Sequence, residues 1–229
     1  MSTLRLQKRA LRRTLLATLG ALAPAALAEQ SGAVAAHLFA TAAWTRARAV
    51  GVFVGAAGEV ATDAVVRRGL AEGKHIYIPH FTLAPADAAA PAQKSFAPDM
   101  RMLRLHDVAA FEALKENAFG IREFAAAGAE MLEARDADPP MDLVLVPGVA
   151  FDHACCRLGH GKGYYDRYLS SLAAHHASRS MPAPLLVGLA LAPQLLRPGE
   201  AVPTDAHDLP LDAVVHPAGV VPRADGRAV

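Results

Sequence analysis

The chain has 229 residues, 53% of them hydrophobic, and carries 23 Lys and Arg against 22 Asp and Glu. That length and apolar fraction suit one α/β domain with a large core, and a net charge of +1 supplies no global field for nucleic acid or an anionic membrane. The two cysteines, Cys155 and Cys156, are neighbours and cannot close an unstrained disulfide, which points to a reducing compartment; no apolar run approaches the roughly 20 residues that span a bilayer.

The first 28 residues carry two readings. Arg5, Lys8, Arg9, Arg12 and Arg13 precede an apolar run and Ala26-Leu27-Ala28, imitating a secretory signal cleaved near Ala28. Leu4, Leu11, Leu15, Leu19 and Leu22 nevertheless recur at helical spacing and form one stripe. Lys8 and Arg12, four apart, share another face, and Gly20 and Pro24 interrupt the apolar run. The expectation is an amphipathic helix retained by a cytoplasmic protein, with the cleavable signal as the alternative.

A second helix is expected from about Glu29 to Trp44, with the single tryptophan as core filler. Ala49 to Val54 reads as a strand. Thr62 reads as the N-cap of a helix reaching about Glu72, with Asp63 favourable in its first turn. Gly73 ends that helix, and His75 to Ile78 makes the next strand, stopped by Pro79. This β-α-β unit implies parallel strands and a right-handed crossover. Residues 81–98, with Pro85, Pro91 and Pro98, are expected to form a long surface loop before strand-like residues resume at Met100 to Leu105. Asp107 should cap a short helix through Lys115, a turn comes next around residues 119–123, and residues 125–140 look loosely structured.

Leu143 to Val146 is a β-branched apolar run stopped by Pro147-Gly148, which is how a buried parallel strand reads. A loop comes next, and Tyr164 starts an amphipathic helix towards His176. Leu185 to Leu191 reads as a further strand. Asp212 to Val215 reads as the last one, before a polar tail from Pro222. The alternation predicts a single α/β domain with a mostly parallel open sheet flanked by helices, binding ligands beyond the carboxyl ends of its strands.

Between the strand at 143–146 and the helix at Tyr164 lies Gly159-His160-Gly161-Lys162-Gly163. Strand, glycine loop and helix together aim free backbone N–H groups at an anion, and the helix dipole adds partial positive charge. Arg157 and Lys162 supply full charges, the first as a planar fork and the second as a point charge. Asp166, in the first helical turn, can compensate the dipole or hold a cation. No Ser or Thr follows Lys162, so the Walker A pattern is absent. The alternative is a glycine-rich turn with a solvated Arg and Lys. Glu59 and the glycine loop follow two different strands and can meet in one cleft, whereas Asp208 requires the loop after Leu191 to fold back. Tyr164 and Tyr165 either pack or stack on a flat heterocycle. His153, Cys155, Cys156 and His160 match no common zinc spacing, so buried thiols are expected. No G-x-S-x-G elbow is present.

PGVAFD at residues 147–152, followed by RLGHGKGYYDRYL at 157–169, resembles the signature of the 5-formyltetrahydrofolate cyclo-ligases, also called 5,10-methenyltetrahydrofolate synthetases. Lys8 to Arg12 resembles that family's N-terminal K-x-x-L-R element, Glu59 to Thr62 its E-V-x-T, and Gly73-Lys74 with Pro79 its GK…P strand. Phe119-Gly120-Ile121-Arg122-Glu123 resembles its GI-x-E turn, and Pro203 to Asp208 its late P-x-E-x-H-D element. The resemblance implies a fold like that of sugar-phosphate isomerases and coenzyme A transferases. It also implies an ATP- and Mg²⁺-dependent ligase acting on a reduced folate, a monomer or weak homodimer without nucleic-acid or membrane partners. Lys8, Arg12, Arg157, Leu158, Gly159, His160, Gly161, Lys162, Gly163, Tyr164 and Tyr165 would hold ATP. Asp166 and Asp208 would hold Mg²⁺. Val54, Glu59, His160, Gly161, Lys162, Gly163 and Tyr164 would contact the folate, with Arg157, Lys162 and Tyr164 nearest the reacting groups. Cys155 stands where the family usually has glycine, Phe124 where it has proline, and Asp205 where it has glutamate. A non-catalytic nucleotide- or folate-binding homologue of the same fold is one alternative. A sugar-phosphate isomerase, which needs no ATP, is the other.

Overall fold

Helical leucine spacing at the N-terminus does give a helix. In the computed structural model, α1 runs Thr3–Gly20 and buries Leu15 and Leu19. The structure describes residues 3–82, 99–116, 120–124, 131–205 and 208–229. Pro24 opens α2 (Pro24–Phe39), in a first turn where a missing N–H costs nothing. The single helix expected from Glu29 to Trp44 is therefore two helices. Thr41 Oγ1 accepts from the Trp44 N–H at 3.1 Å and caps a separate α3 (Ala42–Arg46). Trp44 is core, 2% exposed, and its Nε1–H donates to Glu72 at 3.0 Å.

Strand β1 (Ala49–Gly51) is shorter than expected, although Val52 to Val54 stay buried. Thr62 precedes α4 (Asp63–Ala71) but does not cap it, because its hydroxyl donates to the Phe53 carbonyl at 2.6 Å. Pro79 does not stop β2, which runs His75–Thr82 beside β3 (Asp99–Leu105). Tyr77 offers its carbonyl to Val52 on the β1 side. Two residues on, Pro79 faces that same side, where β1 has already ended, so its missing N–H breaks no ladder. Asp107 caps α5 (Val108–Glu112) through the Ala110 N–H at 2.7 Å. That helix stops short of Lys115, because β4 (Lys115–Glu116) pairs with β5 (Arg122–Glu123). Residues 83–98 of the expected surface loop, Phe119, residues 125–130 and His207 lie outside the described residues.

Strand β6 (Leu143–Val146) is buried throughout, as its unbroken apolar run requires. The loop expected after it contains a small hairpin of β7 (Ala150–Phe151) and β8 (Arg157–Leu158). Then come α6 (Tyr164–Ser178), β9 (Leu185–Leu189), β10 (Ala213–His216) and β11 (Gly219–Pro222). The last of these was not expected, since the last strand was placed at Asp212 to Val215 and the polar tail from Pro222. Val220 and Val221 pair with β10, and Arg227 pins the C-terminal segment beyond β11 by donating to Asp212 at 2.6 Å and to the Pro184 carbonyl at 2.5 Å.

The sheet order is β11-β10-β9-β6-β1-β2-β3. Strands β10, β9, β6, β1 and β2 are parallel, and the two outer strands are antiparallel. The chain steps from β1 to β2 in one direction and from β6 to β9 in the other. The point where the order reverses lies between β1 and β6, and the crevice beyond their carboxyl ends is where such sheets bind ligands. A hollow of about 290 Å³ lies at the opposite ends of these strands, beside Arg48, Lys74 and His75. Its Lys74 ammonium donates to the Trp44 and Ala47 carbonyls at 2.9 and 2.8 Å and holds the end of α3. That hollow is a feature of helix packing at the wrong end of the sheet for ligand binding.

Candidate active site

The loop leaving β1 carries Glu59 and the loop leaving β6 carries the glycines, and they meet at the reversal point. His160 Nε2 lies 3.2 Å from Glu59 Oε1, while Glu59 Oε2 accepts from the Ala56 N–H at 2.9 Å. Gly161 and Gly163 both have positive φ, 91° and 69°, a backbone that favours glycine. Gly163 is the N-cap of α6 and has no side chain to satisfy the first turn, so the N–H groups there stay available to a ligand.

Helix α1 lies against this loop. Arg12 Nε donates to the Gly159 carbonyl at 2.7 Å, and a methyl on Gly161 would sit 3.4 Å from the Arg12 guanidinium carbon. Lys8 reaches Asp208 at 2.5 Å and Asp205 at 3.1 Å. Burial works to lower the Lys8 pKa, but the hydrogen bonds to Asp208 and Asp205 outweigh it and raise the pKa above its ordinary value. Lys8 thus stays charged. Burial depresses the Arg12 pKa, with Asp208 opposing. Asp208 does fold back onto the site, as the sequence required, and brings Asp205 with it.

Arg157, 8% exposed, donates to the Pro147 carbonyl at 3.2 Å and to Asp166 at 2.6 Å. With Cys156, Thr204, Asp205 and Asp208 it lines a cleft of about 210 Å³. Lys162 is exposed, and its backbone carbonyl accepts from Arg167. The Tyr164 ring packs on Phe81 with centroids 4.8 Å apart. Tyr165 instead joins the core, and burial holds its phenol far above the ordinary tyrosine range. Leu158 is likewise buried, in a small cluster with Leu15, Val149, Ala150 and Val202, so only its backbone is available to a ligand. Val54 is buried behind Glu59. Cys155 is fully buried, burial pushes its thiol up to about 11, and its Sγ lies 3.4 Å from the Val221 carbonyl.

The sequence profile of the 5-formyltetrahydrofolate cyclo-ligases matches residues 5–217, from α1 to the end of β10. This chain belongs to that family. A probable 5-formyltetrahydrofolate cyclo-ligase of Caenorhabditis elegans is 32% identical over 216 residues, covering 94% of this chain and 95% of that one. A mitochondrial 5-formyltetrahydrofolate cyclo-ligase of Arabidopsis thaliana is 39% identical over 127 residues, 54% of this chain and 44% of that one. The solved 5,10-methenyltetrahydrofolate synthetase of Aquifex aeolicus superposes with a TM-score of 0.69 at 28% identity, covering 97% of this chain and 95% of that one. Membership does not fix the compartment, since one of these relatives is mitochondrial. Among the described residues no helix is long and apolar enough to cross a membrane.

Among the described residues no cluster of three or more His, Cys, Asp or Glu side chains could hold a metal ion by itself. Asp166 and Asp208 keep partly exposed carboxylates, each engaged by a cationic side chain, Arg157 and Lys8 respectively. Mg²⁺ asks for only one or two protein carboxylates and takes its other ligands from water and phosphate. Sequence reasoning missed Phe81, Asp205 as a partner of Lys8, and the buried Gln194, whose Nε2–H donates to the Gly148 carbonyl at 2.5 Å. The run PTDAHD was a signal for Asp205, but nothing in the sequence marked Phe81 or Gln194.

Proposed function

We propose that the protein converts 5-formyltetrahydrofolate to 5,10-methenyltetrahydrofolate, using ATP with Mg²⁺ and releasing ADP and phosphate. The observation that supports this most is the meeting of Lys8 and Arg12 of α1 with the glycine loop, Asp208 and Glu59, on a chain matched by the family from residue 5 to 217. The formyl oxygen on N5 attacks the γ-phosphorus and ADP departs. N10 then adds to the activated carbon and loses its proton, and the phosphate leaves with its bonding pair as the methenyl bridge forms. Bound at Asp166 and Asp208, Mg²⁺ would supply charge neutralisation on the phosphates.

The chain's own residues position and neutralise. Backbone N–H groups around Gly161 and Gly163, with Lys162, Lys8 and Arg12, stabilise charge on the transferring phosphoryl group. Arg157 holds Asp166 in place. Glu59, anchored at Ala56 through one oxygen, offers the other to the pterin, and Tyr164, tilted 57° against Phe81, presents an apolar face for the ring. We place the enzyme in the cytoplasm with α1 retained, because α1 carries two of these charges. The test is absorbance of the methenyl product, with and without ATP and Mg²⁺. Product requiring both supports the reading. Nucleotide binding without product would identify a non-catalytic homologue, and turnover of a sugar phosphate without ATP would identify an isomerase.

A further inference from the structure

We propose that Asp152, which touches no reacting group, is the positioning residue that sets the spacing of the two walls of the cleft. The proposal rests on the nucleotide and metal reading of that cleft. Asp152 closes the PGVAFD run and is 2% exposed. One carboxylate oxygen accepts from the Ala154 and Cys156 N–H groups at 3.0 and 2.9 Å, and the other accepts from the Val202 N–H at 2.9 Å. A buried carboxylate requires such partners, and N–H bonds to an ionised acceptor are about twice as strong as neutral ones.

The two ends of this clamp are the two walls. Cys156 leads directly into Arg157, whose guanidinium holds Asp166 at 2.6 Å. Val202 leads into Thr204, which lines the cleft, and on to Asp205 and Asp208, which pair with Lys8. Asp166 and Asp208 lie 42 residues apart in sequence (208 − 166), on segments that each hang from one oxygen of Asp152. A rigid short side chain bonded on both sides fixes the gap between them more tightly than the loop residues could alone. Mg²⁺ held by these carboxylates would be sensitive to that gap, because it demands near-ideal octahedral geometry. On the folate side, Glu59 stands on the loop after β1 and hangs from neither oxygen of the clamp, whereas Tyr164 follows the Arg157 wall.

Asp152→Asn keeps the shape but turns one acceptor into a donor, which then opposes an N–H and releases one wall. The expected result is a rise of tenfold or more in KM for ATP·Mg²⁺, a smaller change in the folate KM, and ADP·Mn²⁺ binding by calorimetry weakened in parallel. Asp142→Asn is the control. Asp142 also accepts from two backbone N–H groups, those of Arg48 and Ala49, but at the opposite end of the sheet. It should lose stability while leaving both KM values unchanged. Should Asp152→Asn fail to fold, Asp152→Glu keeps the charge, pushes the walls apart by one methylene, and should raise the ATP·Mg²⁺ KM several-fold. A wild type that makes no methenyl product but binds ADP·Mn²⁺ more tightly than Asp152→Asn would sink the cyclo-ligase reading and leave the clamp standing. Equal ADP·Mn²⁺ affinity in wild type and variants, or loss of stability alone as in Asp142→Asn, would overturn the clamp. Absence of ADP·Mn²⁺ binding by the wild type would overturn both.

Discussion

Cys155 holds φ at 61°, in the left-handed region, and is completely buried. Glycine, the residue the family usually has there, takes that backbone without the roughly 1–2 kcal/mol that a Cβ adds. The Cys155 side chain offsets this by filling the space under β11. Two variants separate the terms, since Cys155→Ala keeps the strain while Cys155→Gly relieves it. The alanine variant should be less stable than the glycine variant by about 1 kcal/mol in urea unfolding. Equal stabilities would show that the left-handed backbone carries no penalty there. Glu59 gives a second test at this scale. Glu59→Gln keeps an acceptor for the Ala56 N–H but removes the charge facing the pterin. A hydrogen bond to a charged group contributes about 1.5–3 kcal/mol, so the folate KM should rise roughly tenfold or more with the ATP KM unchanged. A change in the ATP KM alone would move Glu59 away from the folate.

Among the elements, α1 and the C-terminal segment are each held by charge as well as by apolar contact. A chain beginning at Glu29 lacks Lys8, Arg12, Leu15 and Leu19, and should be unstable or inactive. Lys8→Gln with Arg12→Gln, which keeps the leucines, should weaken ATP binding several-fold while the thermal midpoint moves little. Full activity of the chain from Glu29, with a native N-terminus mapped there, would instead identify a cleaved signal. At the other end, burial works to raise the Asp212 pKa, but the hydrogen bonds from Arg227 and the Leu186 N–H overcome it and hold the group below its ordinary 3.8. A carboxylate depressed in the folded state stabilises above its unfolded pKa and loses that contribution as pH falls through the folded one. Asp212→Asn should therefore cost about 1–3 kcal/mol at neutral pH. The gap to wild type should stay constant down to pH 3.8 and close below it. A gap independent of pH would mean that the lost contact is not ionic.

On the scale of the whole molecule, the mostly parallel sheet flanked by helices follows from features that sequence displays, whereas the strand order and the reversal between β1 and β6 do not. A strand buried on both faces reads as an apolar run, so β6 was legible to the residue, and Gly73 and Asp107 punctuate by local chemistry. Illegible features depend on partners. Thr41 splits a helix because its hydroxyl finds the Trp44 N–H, in a stretch where alanines favour continuation on both sides. β2 survives Pro79 because β1 ends early, which β2's own residues do not report. Two-residue strands such as β7 and β8 are too short to show a period. The glycine loop, Glu59 and Asp208 were legible as candidate site residues, and the structure brings them together. The pairing of Lys8 with Asp205 and Asp208 was not, because it joins residues about 200 positions apart.

That separation also bears on how the molecule comes into being. Lys8 and Asp208 are 200 residues apart and Arg12 and Gly159 are 147 apart, and Leu15 packs with Val149, Leu158, Leu196 and Val202. At about 5–20 residues per second, the ribosome needs roughly 10–40 s after Lys8 to deliver its partner. The helix made first is therefore the last to find its seat, and its leucine face stays uncovered until synthesis is nearly complete. A nascent chain interrupted before Asp205 and Asp208 holds Lys8, Arg12 and the glycine loop but lacks the wall that pairs with Lys8, so the cleft closes only near the end of synthesis.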